Sequence, residues 1–110
     1  MTRQYLKHYS KYKAKPIFID SIRFASQKEG KRYKELKLLE KEGNITRLTL
    51  QFPYPLFING IKTFTYKADF VYVNKHGVRI VEDVKGFRTP LYKLKKKIIE
   101  AEYGIKIEEI

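Results

Sequence analysis

The residues Asn74-Lys75-His76-Gly77 stand between a run over 64–73 rich in aromatic and β-branched residues and a run over 78–85 rich in β-branched ones. A Lys75-His76-Gly77 loop with glycine in the left-handed third position is a common hairpin connection, so the chain should double back here with Asn74 opposite Val78. In that register Val71 faces Val81, Asp69 faces Asp83 and Lys67 faces Lys85. All six share one side of the sheet, because side chains alternate along a strand. Two carboxylates directly opposite each other have Cβ atoms about 5 Å apart and repel. The flanking valines imply burial, which strengthens the repulsion. A divalent cation held between the acids removes the conflict. A one-residue slip would instead set Asp69 against Glu82 on opposite faces.

The rest of the chain supplies what such a hairpin needs to pack against. Pro16 to Phe24, broken at Asp20-Ser21, reads as a short hairpin or an extended entry. Ser26-Gln27-Lys28-Glu29 is a capping-box pattern opening a helix to about Glu42, which Gly43-Asn44 ends. A first strand is expected over 45–52, with Pro53-Tyr54-Pro55 interrupting it and Asn59-Gly60 marking a turn. Thr89-Pro90 opens a second helix, with Leu91, Leu94 and Ile98 as its buried stripe, ending before Gly104. A short strand over 105–108 closes the chain. The order is helix, three strands, helix, strand, an α/β class with a mixed sheet flanked by two helices.

Composition narrows the chemistry. The chain has 110 residues, expected as one domain over 16–110 behind a basic arm over 1–15. Lys plus Arg number 24 against 12 Asp plus Glu, a net charge of +12 that favours polyanions as partners. With no cysteine, disulfides, zinc–thiolate sites and thiol nucleophiles are excluded, and His8 and His76 are too few for a histidine-based metal site. No apolar run approaches membrane-spanning length and no secretory leader is visible, so a soluble, cytoplasmic protein is expected. The arm interleaves Lys7, Lys11, Lys13 and Lys15 with Tyr5, Tyr9 and Tyr12. It reads either as a solvated tail or as an arm that orders on nucleic acid.

Hard oxygen ligands without nearby His or Cys point to Mg²⁺ or Mn²⁺ at Asp69 and Asp83. Lys85 lies two residues after Asp83, so its amine reaches the same side. It is either an edge lysine paired with an acid or the cation that supports a nucleophilic water. Glu82 points away. Glu29 is either the capping-box glutamate or a third acid of the cluster. On the second helix, Lys93 and Lys96 are candidates to grip a phosphate, whereas Lys95 and Lys97 read as a solvated face.

A glutamate in a first helix, Asp69 in a strand and Asp83-x-Lys85 in the next strand resemble the PD-(D/E)XK nuclease superfamily. The blocks Phe24-x-Ser26-x-x-Glu29, Tyr66-x-Ala68-Asp69-Phe70 and Val81-Glu82-Asp83-Val84-Lys85-Gly86 look more closely like a family of small phage proteins of unknown function grouped with that superfamily. The resemblance covers roughly residues 16–110. It implies a restriction-endonuclease-like αβββαβ core in which Asp69, Asp83, the Val84 carbonyl and Glu29 bind metal and Lys85 assists the water. Gln51 corresponds to a strand polar residue near the site. Ala68 replaces the proline that often precedes the first aspartate.

The expected function is a Mg²⁺-dependent DNA endonuclease, structure-selective in the manner of a Holliday-junction resolvase, in a phage or prophage protein acting in the bacterial cytoplasm. Branched DNA needs two cuts, so a homodimer is expected with it. Nickase and flap-nuclease activities compete with resolution. The alternative class is a non-cleaving DNA-binding accessory protein of phage replication or recombination. An RNA-binding module lacks its signatures here.

Overall fold

A computed structural model describes residues 15–110. Residues 1–14, and with them Lys13, lie outside the described residues, while Lys15 is exposed. The chain divides into two compact units, one ending at Glu35 and one spanning Leu36–Ile110. Among the described residues no helix is long and apolar enough to cross a membrane.

In the first unit, β1 (Ile17–Ile19) and β2 (Ile22–Phe24) pair antiparallel. Asp20 (φ 53°) and Ser21 (φ 63°) form the connection, both left-handed as a two-residue hairpin turn requires. Ser26 then caps α1 (Gln27–Lys41), with the Glu29 N–H donating to Ser26 Oγ at 3.1 Å. Tyr33 stacks 4.8 Å from Phe24 and donates its hydroxyl to Asp20 Oδ2 at 2.8 Å, tying the helix to the hairpin. Gly30 makes that approach possible, since a Cβ there would meet Ile17 Cγ2 at 2.9 Å and Ile19 Cδ1 at 3.0 Å.

The second unit contains the end of α1, then β3 (Ile45–Ile58), β4 (Ile61–Asn74), β5 (Arg79–Asp83), α2 (Pro90–Tyr103) and β6 (Ile107–Glu109). The sheet order is β3-β4-β5-β6, antiparallel except for the parallel β5–β6 pair reached through α2. The element order is the expected helix, three strands, helix, strand, in a mixed α/β fold. The expected register is also present: Phe70–Glu82, Val71–Val81, Tyr72–Ile80 and Val73–Arg79 pair. The Asn74 N–H donates to the Val78 carbonyl at 2.8 Å, and Gly77 is left-handed at φ 78°.

The strand over 45–52 is not interrupted at Pro53-Tyr54-Pro55, contrary to expectation; β3 runs through it to Ile58. β3 is an edge strand, and Pro53 and Pro55, two apart, both turn their missing N–H groups away from β4. β4 correspondingly begins at Ile61, after a tight Asn59-Gly60 turn with φ of 52° and 77°.

The core joins Tyr54 and Leu56 of β3, Tyr66, Ala68 and Val71 of β4, Val81, Ile99 and Ile107. Thr89 caps α2 through its Oγ1 (3.0 Å from the Tyr92 N–H), and left-handed Gly104 ends it. The buried stripe of α2 differs from expectation, because Leu91 and Leu94 are 59 % and 55 % exposed. Ile99 is fully buried and Tyr92 and Ile98 pack beside it, while Lys95 lays its amine over the Phe64 ring at 5.2 Å. A lysine stem can cover apolar surface as a leucine does, so hydropathy alone misjudged the helix by about one residue.

Candidate functional site

The β4–β5 ladder ends at Phe70–Glu82, and Asp69 and Asp83 follow one step beyond. Asp69 therefore has no strand partner to satisfy, and its carboxylate takes over that role. Its Oδ2 accepts the Val84 N–H at 2.8 Å and its Oδ1 accepts from Gln51 Nε2 at 3.1 Å. Gln51 sits opposite Asp69 on β3 with φ 52°, a conformation that costs a non-glycine residue roughly 1–2 kcal/mol.

That irregularity also reverses the alternation of β4. Tyr66 and Ala68 share the core with Val71, so an even-numbered face becomes an odd-numbered one between Ala68 and Val71. Lys67, placed with Asp69 by simple alternation, instead lies exposed between two core residues and does not pair with Lys85. Asp83, Val81 and Arg79 keep strict alternation on β5.

Asp83 is 1 % exposed. Its backbone carbonyl accepts from the Ile110 N–H at 3.0 Å, and its Oδ2 accepts the Tyr66 hydroxyl. Its Oδ1 is buried with no hydrogen-bond partner. Burial pushes the Asp83 carboxyl up to about 7, and the adjoining Asp69 carboxylate pushes the same way; the Tyr66 hydrogen bond and the Lys85 charge act against them. The two acids are thus close enough to share a proton.

Lys85 Nζ lies 3.6 Å from Asp83 Oδ2 and 4.7 Å from the centre of the Tyr92 ring. Tyr92 donates its hydroxyl to Glu109 Oε2 at 3.0 Å. Burial holds both Tyr66 and Tyr92 above the ordinary phenol range, helped next by the hydrogen bond to Asp83 at Tyr66 and by the negative charge of Asp83 at Tyr92. Glu109 moves the other way. Slight burial works to raise it, but the hydrogen bonds from Tyr92 and Arg88 and the charges of Lys96 and Arg88 hold it below the ordinary range.

Glu82 is buried and accepts the Tyr72 hydroxyl. Glu29 is 8 % exposed in the first turn of α1. Lys93 is exposed, whereas Lys96 is drawn to Glu100 (3.8 Å) and Glu109 (3.9 Å). Among the described residues no group of three His, Cys, Asp or Glu is placed to hold a metal, so an ion at this site would rest on the Asp69–Asp83 pair. Sequence reasoning missed Tyr66 and Tyr92. Tyr66 stands three residues before Asp69, on the wrong face by simple alternation, and only the reversal in β4 brings it to Asp83.

A family model described as a protein of unknown function (DUF1064) matches residues 9–108. No curated protein and no solved structure matches the chain.

Proposed function

This chain belongs to the DUF1064 family, and we propose that it is a metal-dependent DNA endonuclease of the PD-(D/E)XK type, cutting branched DNA as a junction resolvase does. The observation that carries this reading is Asp83 Oδ1, a buried carboxylate oxygen without a partner beside a second carboxylate and a lysine amine. A buried acceptor left unsatisfied costs about 1–3 kcal/mol, more when charged, and a cation would satisfy it.

Asp69 and Asp83, with the Val84 carbonyl, are the groups that would hold Mg²⁺ or Mn²⁺, a set of hard oxygens suited to those ions. Bound there, the ion supplies positive charge to a phosphodiester and lowers the pKa of water. The protein's own part is positioning. Gln51 and the Val84 N–H fix both oxygens of Asp69, and the Tyr66 hydroxyl fixes Asp83 Oδ2 so that Oδ1 is the oxygen left to bind.

Water adds to phosphorus in line with the departing oxygen, and charge accumulates on the phosphoryl oxygens. Lys85 Nζ, held by Asp83 and the Tyr92 ring, is the cation that neutralises it. Lys93, Lys96, Lys13 and Lys15 are assigned to backbone phosphates, with the salt sensitivity that follows. Cutting both arms of a junction calls for a second copy of the chain, hence a homodimer.

The test incubates the chain with linear duplex, single-stranded, flap and four-way-junction DNA, in Mg²⁺, in Mn²⁺ and in EDTA, beside Lys85→Ala. The reading expects metal-dependent cleavage, strongest on branched DNA and lost in Lys85→Ala. No cleavage of any substrate in either metal would sink it.

A further inference from the structure

Arg47, Thr49 and Phe52 of β3, Val71 and Val73 of β4 and Arg79 of β5 line an open cavity of about 330 Å³. That volume lies at the lower end of the range for small-ligand sites, about 300–1,000 Å³. Its floor is apolar and its two charged groups are guanidiniums. The Arg79 guanidinium lies 4.7 Å from the centre of the Phe52 ring and 5.8 Å from that of Tyr54. No carboxylate among the described residues pairs with Arg79 or Arg47. The buried Tyr54 hydroxyl has no hydrogen-bond partner either.

The backbone beside the cavity is strained. β3 carries one extra residue between Thr46 and Thr49, and Arg47 occupies that bulge at φ 57°. Glycine would take this conformation without steric cost, and arginine does not. Bulges re-aim a side chain, and strain kept at a charged residue points to a use for that residue. Here the re-aimed side chain borders a cavity that already holds one unpaired guanidinium.

We propose that this cavity binds one unpaired nucleotide of a nucleic-acid strand. Arg47 and Arg79 take the phosphate, and the base lies over Val71 and Val73 against the guanidinium that Phe52 backs. A paired base has no face free to enter, so the site prefers single strands. On β5, Arg79, Val81 and Asp83 alternate onto one face, which sets the cavity roughly 13 Å from Asp83 at about 3.3 Å per residue. This placement deepens the endonuclease reading and rests on it only for the identity of the strand. An unpaired stretch about two nucleotides from the cut is what flaps and branch points offer.

The experiment measures fluorescence anisotropy of the full chain with labelled oligothymidylate, oligouridylate and a duplex of equal length, all in EDTA so that nothing is cut. Arg79→Gln and Arg47→Gly are compared with Lys62→Gln, which removes one exposed charge outside the cavity. Both cavity variants are expected to weaken single-strand binding about tenfold relative to Lys62→Gln, with duplex binding little changed. Arg47→Gly is also expected to raise Tm, which separates lost binding from lost fold. Binding of either oligonucleotide supports the site, and the tighter of the two names the preferred strand.

Three results would overturn the proposal: no single-strand binding by the unaltered chain, cavity variants that bind as Lys62→Gln does, or equal losses on duplex and single strand. Cleavage in Mg²⁺ is scored separately. Single-strand binding that depends on Arg79, without cleavage of any DNA, keeps this site and removes the endonuclease reading. Cleavage with binding indifferent to Arg79 does the reverse.

Discussion

Replacing Asp83 by Asn should stabilise the metal-free protein at alkaline pH, although it removes a hydrogen-bonded charge. Asp83 is moved from an ordinary 3.8 to about 7, chiefly by burial. Between those values the folded chain holds a proton that the unfolded chain has released, so stability falls as pH rises through that window. With both states ionised above pH 7, the cost of the buried charge is about 4 kcal/mol, at 1.36 kcal/mol per pH unit. Asparagine keeps the shape and carries no charge. Urea unfolding in EDTA at pH 5 and pH 8.5 measures the effect. The difference in stability between Asp83→Asn and the unaltered chain should grow by about 3 kcal/mol from the lower pH to the higher, since the first pH unit or so of the loss falls below pH 5. Comparing the two proteins cancels the titration of groups they share. Saturating Mg²⁺ at pH 8.5 should restore stability to the unaltered chain alone, since a ligand of the folded state stabilises by mass action. A pH dependence identical in the two proteins would refute the claim that Asp83 is a buried acid in need of a cation.

Three further outcomes follow from the same geometry. Tyr66→Phe removes the hydroxyl that favours the charged form of Asp83, so the midpoint of the Asp83 carboxyl, followed by ¹³C NMR, should rise by about one pH unit, as a hydrogen bond of roughly 1–2 kcal/mol implies. Gln51→Gly relieves a left-handed glutamine but frees one oxygen of Asp69; urea unfolding should show a stability change within about 1 kcal/mol while affinity for Mn²⁺, read by calorimetry, falls. Gly30→Ala should destabilise by about 1–3 kcal/mol in urea, because its Cβ would meet Ile17 and Ile19 at 3.0 Å or less.

The central hairpin was legible because a short loop with glycine at its end permits one register, and that register carries Asp69 and Asp83 to the same step. Lys85 was legible from its spacing, two residues after Asp83, although the register that set it opposite Lys67 does not extend that far. What escaped the sequence depends on departures from period two. The left-handed Gln51 and Arg47 carry no glycine to announce them, so neither the reversal that brings Tyr66 to Asp83 nor the bulge beside the arginine cavity had a local signal. The prolines of β3 were misread because their effect depends on which strand lies at the edge, which is a property of the whole sheet. Leu91 and Leu94 were misplaced because Tyr92 and the stems of Lys95 and Lys96 take the inner positions, a choice set by the Glu109 and Phe64 partners rather than by hydropathy.

The most direct measurement of the central claim is single-turnover cleavage of a labelled four-way junction in Mg²⁺ by the unaltered chain and by Asp83→Asn, at equal concentrations of folded protein. The account predicts cleavage by the former and a rate about a hundredfold to a thousandfold lower for the latter, the scale of losing a principal electrostatic group. Equal rates for the two proteins would contradict it.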